Sequence, residues 1–136
     1  MAKASGLGFA AAVDDSGGTP RTISNDITNL AFTTPRGVQD ITGVDKSAIE
    51  RLQLLADFTV SLNGVFNSAA NLSHDVFKTV PSSSVARTVT LTIASGAKVL
   101  ANETIFNDYS LTRAANGALT WAAPGNLADG TVPTWA

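Results

Sequence analysis

A mainly β fold, a sandwich or barrel with one short helix laid over an opening, is what the amino-acid sequence predicts. Three observations carry this. Thr, Val and Ile make up 33 of the 136 residues, and these are strand formers. Several runs alternate apolar and polar residues between turn signals, which is the period of a half-buried strand. One segment alone, about residues 71–80, shows a helical apolar stripe without a competing strand period.

The elements follow in order. Gly6 to Val13 is a short apolar run closed by the turn-rich Asp14 to Pro20, a first strand and a loop. Between Thr22 and Thr34 the apolar residues Ile23, Ile27, Leu30 and Phe32 break strict alternation, which predicts two short strands or a bulge ended by Pro35. The segment 35–57 reads two ways. Thr42-Gly43-Val44-Asp45 resembles a helix capping sequence and Ile49, Leu52 and Leu55 fall at helical spacing, whereas Leu52 and Leu54 alternate with Arg51 and Gln53.

From Phe58 the alternation is clean: Phe58, Val60 and Leu62 oppose Thr59, Ser61 and Asn63. In the helical segment Leu72, Val76, Phe77 and Val80 form the apolar stripe. Asn71 or Ser73 stands ready as cap, Asp75 and Lys78 match the helix dipole, and Pro81 ends the segment. Arg87 to Ile93 alternates again, with Val89, Leu91 and Ile93 on one face and Thr88, Thr90 and Thr92 on the other. Glu103 to Arg113 places Ile105, Tyr109 and Leu111 in one phase. Asn116-Gly117 then predicts a hairpin into a run with Leu119 and Trp121 in phase. Pro124-Gly125 and Asp129-Gly130 read as two further turns before a terminal strand at Trp135. The count is six to eight strands in a single domain spanning 1–136, with Leu72, Val76, Phe77, Val80 and Trp121 as the core between helix and sheet.

Composition excludes much chemistry. There is no Cys and only one His, His74, so thiolate metal sites, cysteine nucleophiles and redox motifs are absent. A chain of this size buries roughly 65 to 70% of its unfolded surface, so it needs no disulfide or structural metal. Nine basic residues are scattered among eleven acidic ones, for a net charge of -2, and no basic stripe for nucleic acid emerges. The longest apolar stretch near the start, Leu7 to Val13, is too short to span a membrane and lacks the flanks of a signal peptide. The expectation is a soluble, unprocessed chain made in the cytosol. Charged residues are only 15% of the total, well under the usual quarter, and such low-charge polar surfaces often pack against other subunits.

No catalytic constellation assembles. His74 and Asp75 are adjacent, and neighbours on a helix face different directions, so His74 reads as a polar helix-surface residue. Asp14, Asp15, Asp26, Asp40, Asp45 and Asp129 show no calcium-loop spacing and read as turn formers. Gly6-Leu7-Gly8 lacks the rest of a phosphate loop, and the two Asn-x-Ser/Thr sequences at Asn71 and Asn102 have nothing secretory before them. A binding module for carbohydrate or a receptor, on a phage fibre or an adhesin, is the alternative function. Its contact set would be Trp121, Trp135 and Tyr109.

Four ordered pieces carry a resemblance: Thr33 to Asp45 with Pro35-Arg36-Gly37, Phe58 to Asn67, His74-Asp75-Val76-Phe77, and the close at Leu119-Thr120-Trp121 and Asp129-Gly130-Thr131-Val132-Pro133-Thr134-Trp135. In order and spacing, from about Gly6 to Ala136, they resemble the major tail tube proteins of bacteriophages with long, non-contractile tails, the siphovirus type. The resemblance implies a β-sandwich-like domain with a flanking helix, six copies closing into a ring with a continuous inner barrel, and rings stacking into a tube. It implies a structural virion protein without catalytic residues, cofactor or metal, assembled in the bacterial host cytoplasm. Its partners would be other copies of itself, the tape measure protein, the tail terminator and the distal tail proteins. DNA passes through during ejection without specific binding, and no membrane is involved. The segment 35–57 would be an arm reaching neighbouring subunits through Arg36, Gln39, Asp40, Asp45, Lys46, Glu50 and Arg51. At least one of the polar faces Thr59, Ser61, Asn63 or Thr88, Thr90, Thr92 would line the bore.

Overall fold

Alternating apolar and polar residues bury one face of a strand and leave the other to solvent, and this pattern sets most of the fold. The computed structural model describes residues 3–136. Its strands are β1 (Ala10–Asp14), β2 (Pro20–Thr22), β3 (Ile27–Thr33), β4 (Arg36–Asp40), β5 (Arg51–Ala56), β6 (Thr59–Val65), β7 (Arg87–Ile93), β8 (Lys98–Phe106), β9 (Ser110–Arg113) and β10 (Leu119–Leu127). One α-helix, α1 (Ser73–Phe77), is present among the described residues. The ten strands exceed the six to eight expected, because the 35–57 segment adds a pair of its own and the run before Arg113 divides in two.

Eight strands form one antiparallel sheet in the order β2-β1-β7-β8-β10-β6-β3, with β9 also paired to β10, while β4 and β5 pair with each other. The sheet has two halves. β8 pairs with β7 along its whole length, from Lys98 opposite Ile93 to Thr104 opposite Arg87, but only its last three residues meet β10. Inward residues of both halves then share one core: Val13, Val89, Leu91 and Leu100 on one side, Val60, Leu62, Trp121 and Ala123 on the other.

In β6 and β7 the predicted alternation is the observed one, with Val60, Leu62, Val89 and Leu91 buried. The bulge expected near Ile27 is present as a register shift between Ile27 and Asn29 on β6. The Asn116-Gly117 turn joins β9 to β10, and Gly117 takes the positive φ of 92° that this turn requires.

Three expectations are corrected here. Pro124-Gly125 is not a turn but lies inside β10. A central strand tolerates this proline because the edge it faces is interrupted: β9 ends its pairing at Ala122 opposite Ser110, and β8 begins at Gly125 opposite Phe106. The Pro124 carbonyl points to that edge, accepting from the Asn107 N–H at 3.3 Å, so the missing N–H falls where no ladder partner stands. Second, the inward phase of β8 is Leu100, Asn102, Thr104 and Phe106, which puts Ile105 on the opposite face; Glu103 to Arg113 is two strands and not one. Third, the terminal strand at Trp135 reduces to a single bridge with Leu100.

The helix is shorter than the predicted 71–80, running over five residues, with a turn through Val80. Neither Asn71 nor Ser73 caps it through a side chain. Leu72 occupies the N-cap position, and the donor of Ser73 is satisfied from far away by the buried carboxylate of Asp26 at 3.1 Å. Asp26 also accepts from the Asn67 amide at 2.9 Å. Its backbone carbonyl lies so close to Gly64 that a Cβ there would collide with it and would sit 2.9 Å from Trp121 Nε1. Only glycine fits that position.

Val76 and Phe77 are buried as expected, and Leu72 and Val80 are half-buried. Phe77 packs edge-on against Phe106 at 5.0 Å, stacks with Tyr109 at 5.7 Å and touches Trp121 at 5.2 Å. His74 is not the surface residue expected. It lies half-buried against Phe66, with ring centroids 5.0 Å apart, and its Nδ1 shares a hydrogen bond with the Tyr109 hydroxyl at 3.1 Å. Arg87, at the start of β7, is fully buried and ties the sheet to the turn after α1, donating to Asp14 O at 3.3 Å and Thr79 Oγ1 at 2.8 Å.

Replacing Phe77 by Ala is expected to cost roughly 3 to 5 kcal/mol, the range for a buried Phe. A thermal melt within about a degree of the parent would contradict this packing. Burial also raises the Tyr109 hydroxyl above the ordinary value of 10.0. The neutral phenol is the favoured form, so this contribution to stability is complete below the unfolded value and is lost as pH climbs through the folded one. Tyr109 is the one tyrosine of the chain, so absorbance titration should place its midpoint higher in the folded protein than in denaturant.

Candidate assembly surfaces

Segment 35–57 extends the β3/β6 hairpin beyond the body. The ladder continues through the Asp57 N–H donating to the Pro35 carbonyl at 2.9 Å, and then β4 pairs with β5 as far as Asp40 opposite Arg51. This settles the two readings in favour of extended chain and against a helix. Thr42 does not begin a helix; its hydroxyl donates to Asp40 Oδ1 at 2.6 Å and accepts from the Glu50 N–H at 2.8 Å, which closes the hairpin neck. The Thr42 hydroxyl and N–H together hold the Asp40 carboxyl below its ordinary range.

Register sorts the arm into two faces. Arg36, Val38, Asp40, Arg51 and Gln53 share one, where Arg36 donates to Gln53 Oε1 at 3.1 Å and to the Leu54 carbonyl at 2.9 Å. Gly37, Gln39, Ile41, Leu52 and Leu54 share the other. Of the seven polar residues singled out from the sequence, Asp40 and Arg51 stand opposite each other, Arg36 shares their face at the other end of the ladder, Gln39 lies on the opposite face, and Asp45 and Lys46 pair loosely at the tip at 3.9 Å. Glu50 contributes its backbone at the neck.

Sequence reasoning missed the arm's apolar residues as a surface. Val38, Ile41, Val44, Ile49, Leu52, Leu54 and Leu55 are all exposed, Leu55 at 90% and Val44 at 109% of a free residue. The signal was present in the alternation of Leu52 and Leu54, but the spacing of Ile49, Leu52 and Leu55 competed with it.

Thr59, Ser61 and Asn63 lie on the β6 face turned away from the core. Register aligns them with Asn29, Ala31 and Thr33 of β3 and with Ala122, Pro124 and Asn126 of β10, and Ser110 and Thr112 of β9 continue the rows. No ionisable residue stands on this four-strand face. Thr88, Thr90 and Thr92 belong to the other half-sheet, beside Asp14 of β1 and Glu103 of β8, and Thr88 is hydrogen bonded to Glu103. The two polar faces that look alike in sequence thus differ in charge.

Beside the free edge of β3 runs a cleft of about 650 Å³, bounded across from it by the segment Gly6 to Ala11. Its apolar lining includes Leu7, Phe9, Ile27, Leu30 and Phe32. The three aromatics considered for a sugar platform do not form one. Trp121 is buried with its Nε1 donating to the Val65 carbonyl at 3.0 Å, Tyr109 lies under α1, and Trp135 packs on Phe32 at 6.0 Å between centroids. Among the described residues no group of three His, Cys, Asp or Glu side chains is placed to hold a metal ion. Among these residues, too, no helix is long and apolar enough to cross a membrane.

Two solved structures share this fold over nearly the full chain. A chain in the virion of a native gene transfer agent particle superimposes with a TM-score of 0.78 at 13% identity, covering 97% of this chain and 99% of that one. A chain in the tail of an empty gene transfer agent particle, determined with helical refinement and C6 symmetry, gives 0.77 at 13% identity, with 98% of each chain covered. The fold is therefore that of these virion and tail chains. No protein-family model matches the sequence, and no curated protein is similar to it at a significant level.

No arm residue belongs to the buried core. A chain lacking residues 40–50 is expected to keep a β-type circular dichroism spectrum and a melting temperature within a few degrees of the parent. A large loss of stability would show that the arm supports the body.

Proposed function

We propose that this chain is the subunit of a phage tail tube, a structural virion protein and not an enzyme, that closes into rings of six and stacks them into the conduit for DNA. The observation that carries this reading is the full-length fold likeness to a chain from a C6 tail, together with an arm whose large apolar residues stay exposed in the subunit. A hairpin exposing seven large apolar side chains marks an interaction surface. Rings and open tubes need head-to-tail contacts between different patches, and an arm at one end of the β3/β6 hairpin supplies one such patch. Leu52, Leu54 and Ile41 would carry that contact, with Arg36, Asp40 and Arg51 fixing its register.

The uncharged β3/β6/β10/β9 face lines the bore. Each phosphate neutralised by a Lys or Arg releases counterions and adds affinity, so a lining of hydroxyls and amides lets DNA pass without being retained. Thr59, Ser61 and Asn63 are the lumen residues of this reading. Thr88, Thr90 and Thr92, flanked by Asp14 and Glu103, face outward. The tape measure protein occupies the bore before DNA, and the tail terminator and distal tail proteins close the two ends. Assembly takes place in the cytoplasm of the host, in a siphovirus-type particle.

Negative-stain microscopy of the purified protein is expected to reveal rings or tubes, and the chain lacking residues 40–50 is expected to form neither. A parent that stays monomeric at all concentrations overturns the reading, as does a deletion variant that makes tubes of normal width. Assembled tubes should bind no short double-stranded DNA at physiological salt. Ser61→Lys tubes should gain salt-sensitive binding and Thr90→Lys tubes should not; the reverse result would move the bore to the β7 face.

A further inference from the structure

After β10 the chain doubles back along β8 and is tied to it at both ends. The Ala128 N–H donates to the Glu103 carbonyl at 2.9 Å, and the Ala136 N–H to the Val99 carbonyl at 2.9 Å. Between these ties the segment stands off from the strand around a cavity of about 270 Å³. Its lining includes Asn102, Glu103 and Asp129, with the hydroxyl-bearing Thr88 and Thr131; among the described residues no Lys, Arg or His lines it. That is room for a cation and several waters, at about 30 Å³ each.

Asn102 is the residue whose chemistry calls for a ligand here. It is only 7% exposed, yet its Nδ2 has no hydrogen-bond partner within the subunit. Buried amides are nearly always satisfied, and one left over is completed by a water or an ion. Its inward phase on β8 does not remove it from the cavity, because β10 leaves β8 at Thr104 and the chain returns only at Leu100 opposite Trp135. Along that open edge both faces of the strand reach the same space. A half-turn of the amide sets its oxygen where the nitrogen stands, in the same volume.

We propose that this cavity binds a hydrated divalent cation of calcium's size, with the carboxylates of Glu103 and Asp129 and the amide oxygen of Asn102 as its protein ligands. This goes beyond the tube reading and does not depend on it, since every ligand comes from one subunit. Two carboxylates that share a space without a base repel each other, and a divalent cation turns that repulsion into attraction. Both are oriented by neutral donors: Thr88 is hydrogen bonded to Glu103, and Thr131 donates to Asp129 through its N–H at 3.0 Å and its hydroxyl at 3.1 Å. Each carboxylate accepts at about four positions, so lone pairs remain for a metal.

Calcium takes about six to eight oxygens in flexible geometry and accepts waters among them, whereas magnesium demands an octahedron and gives up water reluctantly. A site with only two carboxylates belongs at the weak end, with a Kd of about 10⁻⁴ to 10⁻³ M. The bound ion clamps segment 128–134 to β8.

The test uses the full chain freed of metal with a chelator. Calcium, followed by calorimetry and thermal melting, should bind at one site with that Kd and raise the melting temperature. Neither magnesium nor sodium chloride at equal ionic strength should match the shift. Glu103→Gln and Asp129→Asn should each weaken calcium binding by at least the roughly tenfold that losing even an outer partner costs. Asn102→Asp supplies a third carboxylate and should tighten it, while lowering the melting temperature in chelator. Asp108→Asn, at an exposed position outside the cavity, should change neither. No saturable calcium binding up to about 10 mM, well above the expected Kd, overturns the site. So does an equal shift from magnesium or sodium chloride, or full calcium affinity in Glu103→Gln and Asp129→Asn. None of these results bears on whether the chain forms tubes.

Discussion

Asp26 performs for α1 the service that a capping residue normally performs from the adjoining position, and it does so from 47 residues away in sequence. A helix of five residues cannot sustain itself, since nucleating one turn fixes several dihedral angles for a single hydrogen bond. Its first donor is satisfied by the Asp26 carboxylate, which is held in place by Asn67 and by the short 3-10 turn Ser24–Asp26 between β2 and β3. The carbonyl of the same residue presses on Gly64, and beside Gly64 stands the indole of Trp121, which anchors Phe77. One residue thus connects the crossing from one half-sheet to the other, the helix and the aromatic core. The chain passes from β2 to β3 at that point, so the place of the free β3 edge also follows from it.

Much of the body was legible because its signals are local. The alternation of Val60 and Leu62, and of Val89 and Leu91, is set by one buried face, and a slip by one residue would turn every one of these side chains to water. Asn116-Gly117 needed no tertiary information, since the turn itself demands a positive φ. Phe77 and Trp121 were placed in the core by the same reasoning. What misled the reading was context. Pro124-Gly125 has the composition of a turn, and only the interruption between β8 and β9 explains why it can stay in a strand. The inward phase of β8 runs through Asn102 and Thr104, polar residues that hydropathy assigns to the surface. His74 looked like a solvent residue until Phe66 and Tyr109, distant in sequence, closed around it.

The arm shows the same limit from the other side. Ile49, Leu52 and Leu55 satisfy a helical period by coincidence, and Leu52 with Leu54 satisfies a strand period. The choice falls to pairing, because β4 offers a partner ladder and the Asp57-to-Pro35 hydrogen bond aligns it with the body. Sequence could therefore locate the arm and its charges but not divide its faces. The division matters, since the apolar face is left open by the subunit alone while Arg36 is tied down along the opposite side by Gln53 and the Leu54 carbonyl.

The cleft beside β3 has a consequence for timing. Its walls come from opposite ends of the sheet order, so it exists only after β1 has found β7 and β3 has found β6. Those pairings join residues far apart in sequence, and such contacts form slowly, over milliseconds to seconds, whereas a local hairpin such as β4/β5 closes in about 1 to 10 μs. A chain emerging from synthesis therefore displays an apolar hairpin early and a closed cleft late. Incomplete chains carry the β3 edge without the opposite wall of the cleft.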